Sequence, residues 1–191
     1  MKLYRRTVLT GLTGLLTLAA TRAMASESLR DLLRTPGVHA IMRHAYAPGT
    51  GDPPEFRLGD CATQRNLNGQ GRAQAGAIGD RLRELGARFD EVRTSQWCRC
   101  RETAELLGLG TPVADPVLNS FFADRSTAAA QTEALRGYLA ALPESARVLL
   151  VTHQVNITAL TGRGVGSGEL FLVTADPQGA VAVEGVIDIS W

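Results

Sequence analysis

The run from Arg147 to Thr152, RVLLVT, is the most strand-like in the chain, and it is one of a series. Val38 to Met42 reads as an earlier strand, Phe89 to Arg93 as a second, and Pro112 to Leu118 as a weak third. Helical periodicity fills the gaps. Ser26 to Arg34 places Leu29, Leu32 and Leu33 on one face and ends at Pro36. Asn68 can cap a helix running to about Leu85, with Ile78, Leu82 and Leu85 in register and Gly86 stopping it. Further helices are expected from about Arg99 to Leu107 and from Thr127 to Leu142, the latter with Leu135, Leu139 and Leu142 on one face. Glu169 to Thr174 and Ala180 to Ile187 flank Asp176 to Gly179 as a hairpin. Strands that alternate with helices require a mostly parallel sheet covered on both faces, an α/β fold of three layers.

The first 25 residues belong to an export signal rather than to that fold. MKLYRR is a basic opening, Val8 to Ala20 a moderately apolar stretch, and Ala23-Met24-Ala25 a cleavage site. Thirteen apolar residues are too few for a bilayer, which needs about 20, and no cysteine stands at the cleavage point, so no stable membrane anchor is expected after cleavage. Arg5-Arg6-Thr7-Val8-Leu9 resembles a twin-arginine signal, and an ordinary secretory signal fits the same residues. Either places the mature protein outside the cytoplasm, in a periplasm. Cleavage lowers the basic count from 20 to 16 against 19 acids, a net charge of about −3, which does not suit a nucleic-acid partner. About 165 residues remain, from 26 to 191, enough for one domain with its own core. In an oxidising compartment the three cysteines leave two arrangements open: a disulfide from Cys61 to Cys98 or Cys100, or three buried thiols.

The apolar strands end on groups that a buried strand would not choose. Val38 to Met42 stops on Arg43 and His44, RVLLVT stops on His153, and Arg99 opens the helix after another strand. Ligands of parallel sheets bind beyond the carboxyl ends of the strands, so these groups leave the sheet where a pocket belongs. Residues 45 to 66, rich in Pro, Gly and Asp, form a long loop of the kind that carries function, and Gln64, Arg65 and Asn66 close it beside that pocket as candidate substrate contacts. His39, inside its strand, reads as structural, and Arg72 and Arg101 as solvated helix residues.

Four ordered segments closely resemble the histidine phosphatase superfamily, the phosphoglycerate mutase-like fold. They are Arg43-His44-Ala45, Leu67-Asn-Gly-Gln-Gly71-Arg-Ala-Gln74-Ala75, Ser95-Gln-Trp-Cys-Arg99-Cys-Arg-Glu-Thr103-Ala104 and Val151-Thr-His153. Ala45 stands where the family carries glycine. The resemblance runs from about Val38 to Thr161. It implies a three-layer α/β/α sandwich with a mostly parallel central sheet, and a phosphohistidine formed on His44 and hydrolysed by water. The side chains suit that chemistry. Phosphoryl transfer is catalysed mainly by positioning and electrostatics, and the Arg43 and Arg99 forks can grip three charged oxygens at any working pH. His153, as imidazolium, adds a donor. His44 must be neutral at its attacking nitrogen, which requires the other nitrogen to donate to an acceptor such as a backbone carbonyl. No metal or other cofactor is called for.

Proton supply is where the chain departs from the family. The family's glutamate, in a Leu-x-Glu context, is replaced in Leu118-Asn119-Ser120, and Gln154 follows His153 where another branch has aspartate. Serine is too weak an acid to protonate a departing alkoxide with useful driving force. Asp124 is the nearest candidate donor, with Asp60 its rival. The resemblance extends, more loosely, to exported phosphatases of lipopolysaccharide core sugars, implying a phosphorylated small molecule or glycan as substrate. A protein that binds phosphorylated or other anionic ligands without turnover fits the missing glutamate as well.

Overall fold

A computed structural model describes residues 27–188. The export-signal reading of residues 1–25 lies outside the described residues. A first helix, α1, covers residues 27–34 and ends before Pro36. Then follow β1 (His39–Arg43), α2 (Gly69–Glu84), β2 (Glu91–Thr94), α3 (Cys98–Leu107), β3 (Pro112–Ala114), α4 (Ala128–Ala140), β4 (Val148–Thr152), α5 (Gln154–Thr161), β5 (Leu170–Ala175) and β6 (Val181–Ile187). Among the described residues, no helix is long and apolar enough to cross a membrane.

One six-stranded sheet has the order β3-β2-β4-β1-β5-β6. The first four strands run parallel, while β5 is antiparallel to both β1 and β6. The expected parallel sheet is therefore present, with the C-terminal hairpin added along one side. Side-chain alternation sorts the core into two layers. Ala40, Met42, Leu149, Val151 and Leu172 pack with Leu33 of α1, Ile78 and Leu82 of α2 and Leu107 of α3. Ile41, Val148, Leu150, Phe171 and Val173 pack with Leu135 and Leu139 of α4 and Ile157 and Leu160 of α5. All five residues of β4 are buried, as befits a central strand covered on both faces. The result is a three-layer α/β/α sandwich of the phosphoglycerate mutase-like kind.

Two expectations change. The weak third strand stops at Ala114, because Pro116 has no amide to give the ladder and Asp115 caps a 3₁₀ turn by accepting from the Val117 amide at 2.9 Å. Helix α5 was not expected at all: Val155, Ile157, Thr158 and Thr161 are β-branched and favour strands in isolation. Burial of Ile157 and Leu160 against the sheet overrides that preference.

Helix α2 starts as the sequence indicates, with the Asn68 side chain accepting from the Gly71 amide at 2.9 Å. Gly71 has a second task. Any Cβ at that position would strike the backbone of Tyr46, so glycine lets the helix start press directly on the chain just past His44.

Candidate active site

The parallel register of β1 and β4 pairs Arg43 with Thr152, so His44 and His153 leave the sheet side by side at its carboxyl edge. Their rings sit 5.5 Å apart, edge to face. On the other side of β4, Thr94 of β2 pairs with Val151, and α3 begins four residues later. That brings Arg99 to the same place, with its Nε 3.2 Å from His44 Nε2. His44, Arg99 and His153 are 2%, 3% and 4% exposed, so the cluster is held within the protein rather than displayed on it.

The tautomer of His44 follows from its neighbours. Nδ1 lies 2.7 Å from the carbonyl oxygen of Ala45, which can only accept, so Nδ1 carries the proton and Nε2 keeps its lone pair. Arg99 Nε–H points at that lone pair. Burial drives the His44 pKa well below the ordinary histidine value and the Arg99 charge drives it further, the Ala45 carbonyl opposing, with Arg43 and Arg65 adding to the depression. Arg43 donates from one terminal nitrogen to the Val165 carbonyl at 3.2 Å. Among the described residues, its Nε is buried and has no hydrogen-bond partner. A buried guanidinium N–H without a partner is a donor able to take an anion.

The chain around His44 is pinned from two helices. The Ala45 amide donates to Thr103 Oγ1 of α3 at 3.1 Å, and the Tyr46 amide donates to Gln74 Oε1 of α2 at 2.8 Å. His153 Nε2 lies 2.8 Å from Ser95 Oγ, which in turn faces Asn119 Oδ1 at 3.3 Å. Trp97 meets the His153 ring edge-on at 5.4 Å and stacks on Phe56 at 5.0 Å. His153 differs from the sequence expectation in one respect. Burial, then the nearness of the His44 ring and the charges of Arg99, Arg65 and Arg43, hold its pKa well below the usual value, so the ring is neutral in the free site. An imidazolium there requires an anion to compensate the arginines.

A carboxylate that sequence reasoning missed completes the cluster. Asp52 spans Arg99, with Oδ1 2.7 Å from one terminal nitrogen and Oδ2 3.2 Å from the other. Trp97 Nε1 donates to Oδ2 at 3.0 Å, and the Arg65 amide to Oδ1 at 3.1 Å. The Asp52 side chain is 16% exposed. Burial pushes its carboxyl up, and the Arg99 and Trp97 hydrogen bonds with the Arg99 charge more than offset this, holding it below the usual range. A Gly51-Asp52-Pro53-Pro54 turn in the long loop was the available signal.

The other candidates sort by their contacts. Gln64 is buried and takes the place of a helix cap: its Oε1 accepts from the Cys98 amide at 2.9 Å, at the start of α3 where Trp97 supplies no side-chain cap. Arg65 braces the loop through the Gly51 and Ala47 carbonyls, while its own carbonyl accepts from Arg99 at 3.2 Å. Asn66 donates to the Cys61 and Gln64 carbonyls. Thus all three hold the loop together, and Arg65 also touches the cluster. Asp124 is not brought there: fully exposed, it accepts from the Ser126 amide at 2.9 Å. Asp60 is likewise exposed, paired with Arg57 and accepting from the Ala62 amide. Arg72 forms a surface pair with Glu102, Arg101 is exposed, and His39 is buried within β1.

Of the open cysteine arrangements, the structure contains Cys61–Cys98. Cys100 is a free buried thiol whose pKa burial pushes up to about 12, so it stays protonated. The disulfide fastens the long loop to the residue before Arg99, and both sulfurs' residues line a surface pocket of about 340 Å³.

The buried rings make a pH prediction. Below about pH 6.5 the unfolded chain takes up protons at His44 and His153 that the folded chain refuses, so the unfolded state binds more protons and stability drops as the pH is lowered. The expected loss is about 1 kcal/mol per ring per pH unit. Thermal melts between about pH 7.5 and about pH 5.5 should show it, with inorganic phosphate restoring part of the loss. A flat profile over that window contradicts neutral buried rings.

Comparison with known proteins agrees with this geometry. Residues 41–120 match the family described as histidine phosphatase superfamily (branch 1). The serine/threonine-protein phosphatase Pgam5, mitochondrial, of Drosophila virilis is 42% identical over 50 residues, 26% of this chain and 17% of that protein's length. The chain thus matches only about a sixth of that relative. Among solved structures, the protein histidine phosphatase SixA complexed with tungstate superposes with a TM-score of 0.59 at 18% identity, covering 78% of this chain and 96% of that one. A phosphoserine phosphatase from Entamoeba histolytica, complexed with 3-phosphoglyceric acid, gives 0.57 at 12% identity over 80% and 97%. A phosphoglycerate mutase from Plasmodium falciparum gives 0.51 at 16% over 79% and 90%. The residues that match the histidine phosphatase superfamily (branch 1) hold Arg43, His44 and Arg99, and the fold, shared with these solved structures, brings His153 to them.

Proposed function

We propose that the chain is a phosphatase that hydrolyses phosphomonoesters through a phosphohistidine on His44. The observation that carries this reading is the His44 ring itself, with the proton on Nδ1 against the Ala45 carbonyl and Nε2 unprotonated, accepting from Arg99, while among the described residues the Arg43 Nε has no partner. A phosphoryl group in that position meets a neutral nucleophile and two guanidinium donors. Arg43 and Arg99 compensate the charge on its oxygens, and His153 adds a ring N–H. Attack by Nε2 forms the P–N bond as the ester P–O bond breaks. Water then attacks phosphorus, releasing phosphate and restoring His44.

The working location is outside the cytoplasm, on the strength of the amino-terminal sequence. The substrate is a phosphorylated small molecule or a phosphorylated envelope glycan. Tyr46, Leu58 and Phe122 are exposed apolar side chains of the loops after β1 and β3, and Phe122 lies within van der Waals reach of the Gly51 position beside Asp52. An exposed aromatic ring next to the Asp52 loop suits a sugar ring or an aromatic leaving group better than a bare anion.

A second reading, capture of phosphorylated ligands without turnover, is favoured by Asp124 lying in water rather than at the cluster. One experiment separates the two. Purified protein is offered an aryl phosphate without added metal, then quenched and mapped for an acid-labile phosphoryl group. Turnover with label on His44 is the expected result. No turnover with retained phosphate binding would replace the phosphatase by the binder.

A further inference from the structure

We propose that Asp52 is the proton donor and acceptor of this hydrolysis, a role resting on the phosphatase reading and left vacant by Ser120 and Gln154. Among the described residues, Asp52 is the carboxylate that bonds directly to a member of the cluster of Arg43, His44, Arg99 and His153. Arg99 lies between it and the nucleophile, with Nε toward His44 Nε2 and both terminal nitrogens toward Asp52. In-line displacement places the departing oxygen on the side of phosphorus away from His44. A carboxyl group anchored across the same guanidinium is placed to meet that oxygen.

Its position is built rather than incidental. Gly51 adopts a φ of 71°, which a side chain would strain, and Pro53 and Pro54 restrict the chain immediately beyond. Arg65 ties the loop at Ala47 and Gly51, the disulfide fastens it again at Cys61, and Trp97 donates to the carboxylate itself. Neither exposed rival, Asp60 or Asp124, has a comparable hold on the cluster.

The charge balance supplies the proton at the right moment. In the free site Arg99 keeps Asp52 ionised. A phosphoryl dianion compensates Arg99 and adds negative charge beside Asp52, so binding favours uptake of one proton from solvent by the carboxylate. As Nε2 attacks and the P–O bond breaks, that proton passes to the leaving oxygen, which departs as a neutral alcohol. The carboxylate then takes a proton from the water that attacks phosphorus, a new P–O bond forming as the P–N bond breaks. Phosphate leaves, Nε2 regains its lone pair, and release of phosphate returns the proton to solvent.

The test compares an alkyl phosphate with p-nitrophenyl phosphate, whose leaving group needs no proton. Asp52→Asn should lower kcat/KM for the alkyl ester by about 100-fold and for the aryl ester by less than about threefold. Asp52→Glu should recover part of the alkyl rate. Equal losses on both esters would overturn the assignment, since that is what a mere brace for Arg99 would give. Lower KM on both with unchanged kcat would overturn it too, marking Asp52 as an internal competitor for the Arg99 fork. Selective alkyl loss in Asp124→Asn instead would move the role there. A series of aryl and alkyl esters on the wild-type protein needs no variant: a shallow dependence on leaving-group acidity is expected, and a steep one rejects proton donation. Wild-type inactivity on the aryl ester would remove the phosphatase reading, whereas activity on it with no Asp52 selectivity removes this assignment alone.

Discussion

His44→Ala should abolish turnover of an aryl phosphate, with kcat/KM falling by at least about 10⁴-fold, while inorganic phosphate still binds within about tenfold of the wild-type affinity. The two halves of that expectation come from different atoms. The bond-forming lone pair belongs to Nε2 of His44, and no second imidazole can replace it, because His153 engages Ser95 and lies 5.5 Å away ring to ring. Anion affinity resides mainly in Arg43 and Arg99, which the substitution leaves in place. Thermal melts should accompany the kinetics, because the alanine leaves a cavity beside Arg99 and removes the acceptor of its Nε. Steady-state rates with an aryl ester and calorimetric titration with phosphate measure the two quantities. A variant that keeps even a hundredth of the wild-type rate would show that the phosphoryl group does not pass through His44.

Cys61→Ser or chemical reduction of Cys61–Cys98 should cost about 2–4 kcal/mol, the range expected for closing a loop between cysteines 37 positions apart in sequence. In a domain of this size that is a fall of about 5–15 °C in melting temperature. Turnover should fall as well, since the bond holds the loop of Asp52 and Arg65 against the residue preceding Arg99. Cys61 is exposed and the pocket beside the bond is open, so a small thiol reductant can reach it. Melting curves with and without reductant, followed by rates on the reduced protein, check both effects. A change below about 1 kcal/mol would mean that Gln64 and Arg65 hold the loop without the disulfide.

Much of the sheet could be read from the chain because its apolar runs end abruptly. β1, β4 and the final hairpin lie within a residue or two of the expected bounds, where local preference and burial agree. Helix α5 escaped because β-branched residues favour strands until the sheet offers Ile157 and Leu160 a place to pack. His44, Arg43, Arg99 and His153 were legible because each directly follows a strand or opens a helix, where topology fixes direction. Asp52 was not. It sits in a long loop whose path is set by tertiary bonds from Arg65, Trp97 and the disulfide, and none of those can be inferred from spacing. Asp124 shows the converse: nearness in sequence to Asn119, which reaches Ser95, did not turn its carboxylate from water.

The sheet order has a consequence for how the protein comes into being. β1, which ends on Arg43 just before His44, is among the earliest elements made, yet its two neighbours are β4 and β5, more than a hundred residues downstream. Until the final third of the chain emerges, the strand bearing Arg43 and His44 has no partner in the sheet. Non-local pairing of this kind slows folding and leaves an apolar edge uncovered meanwhile. The meeting of His44 with His153 is thus among the last events of synthesis, so an interrupted chain carries the first ring without the second that stands beside it.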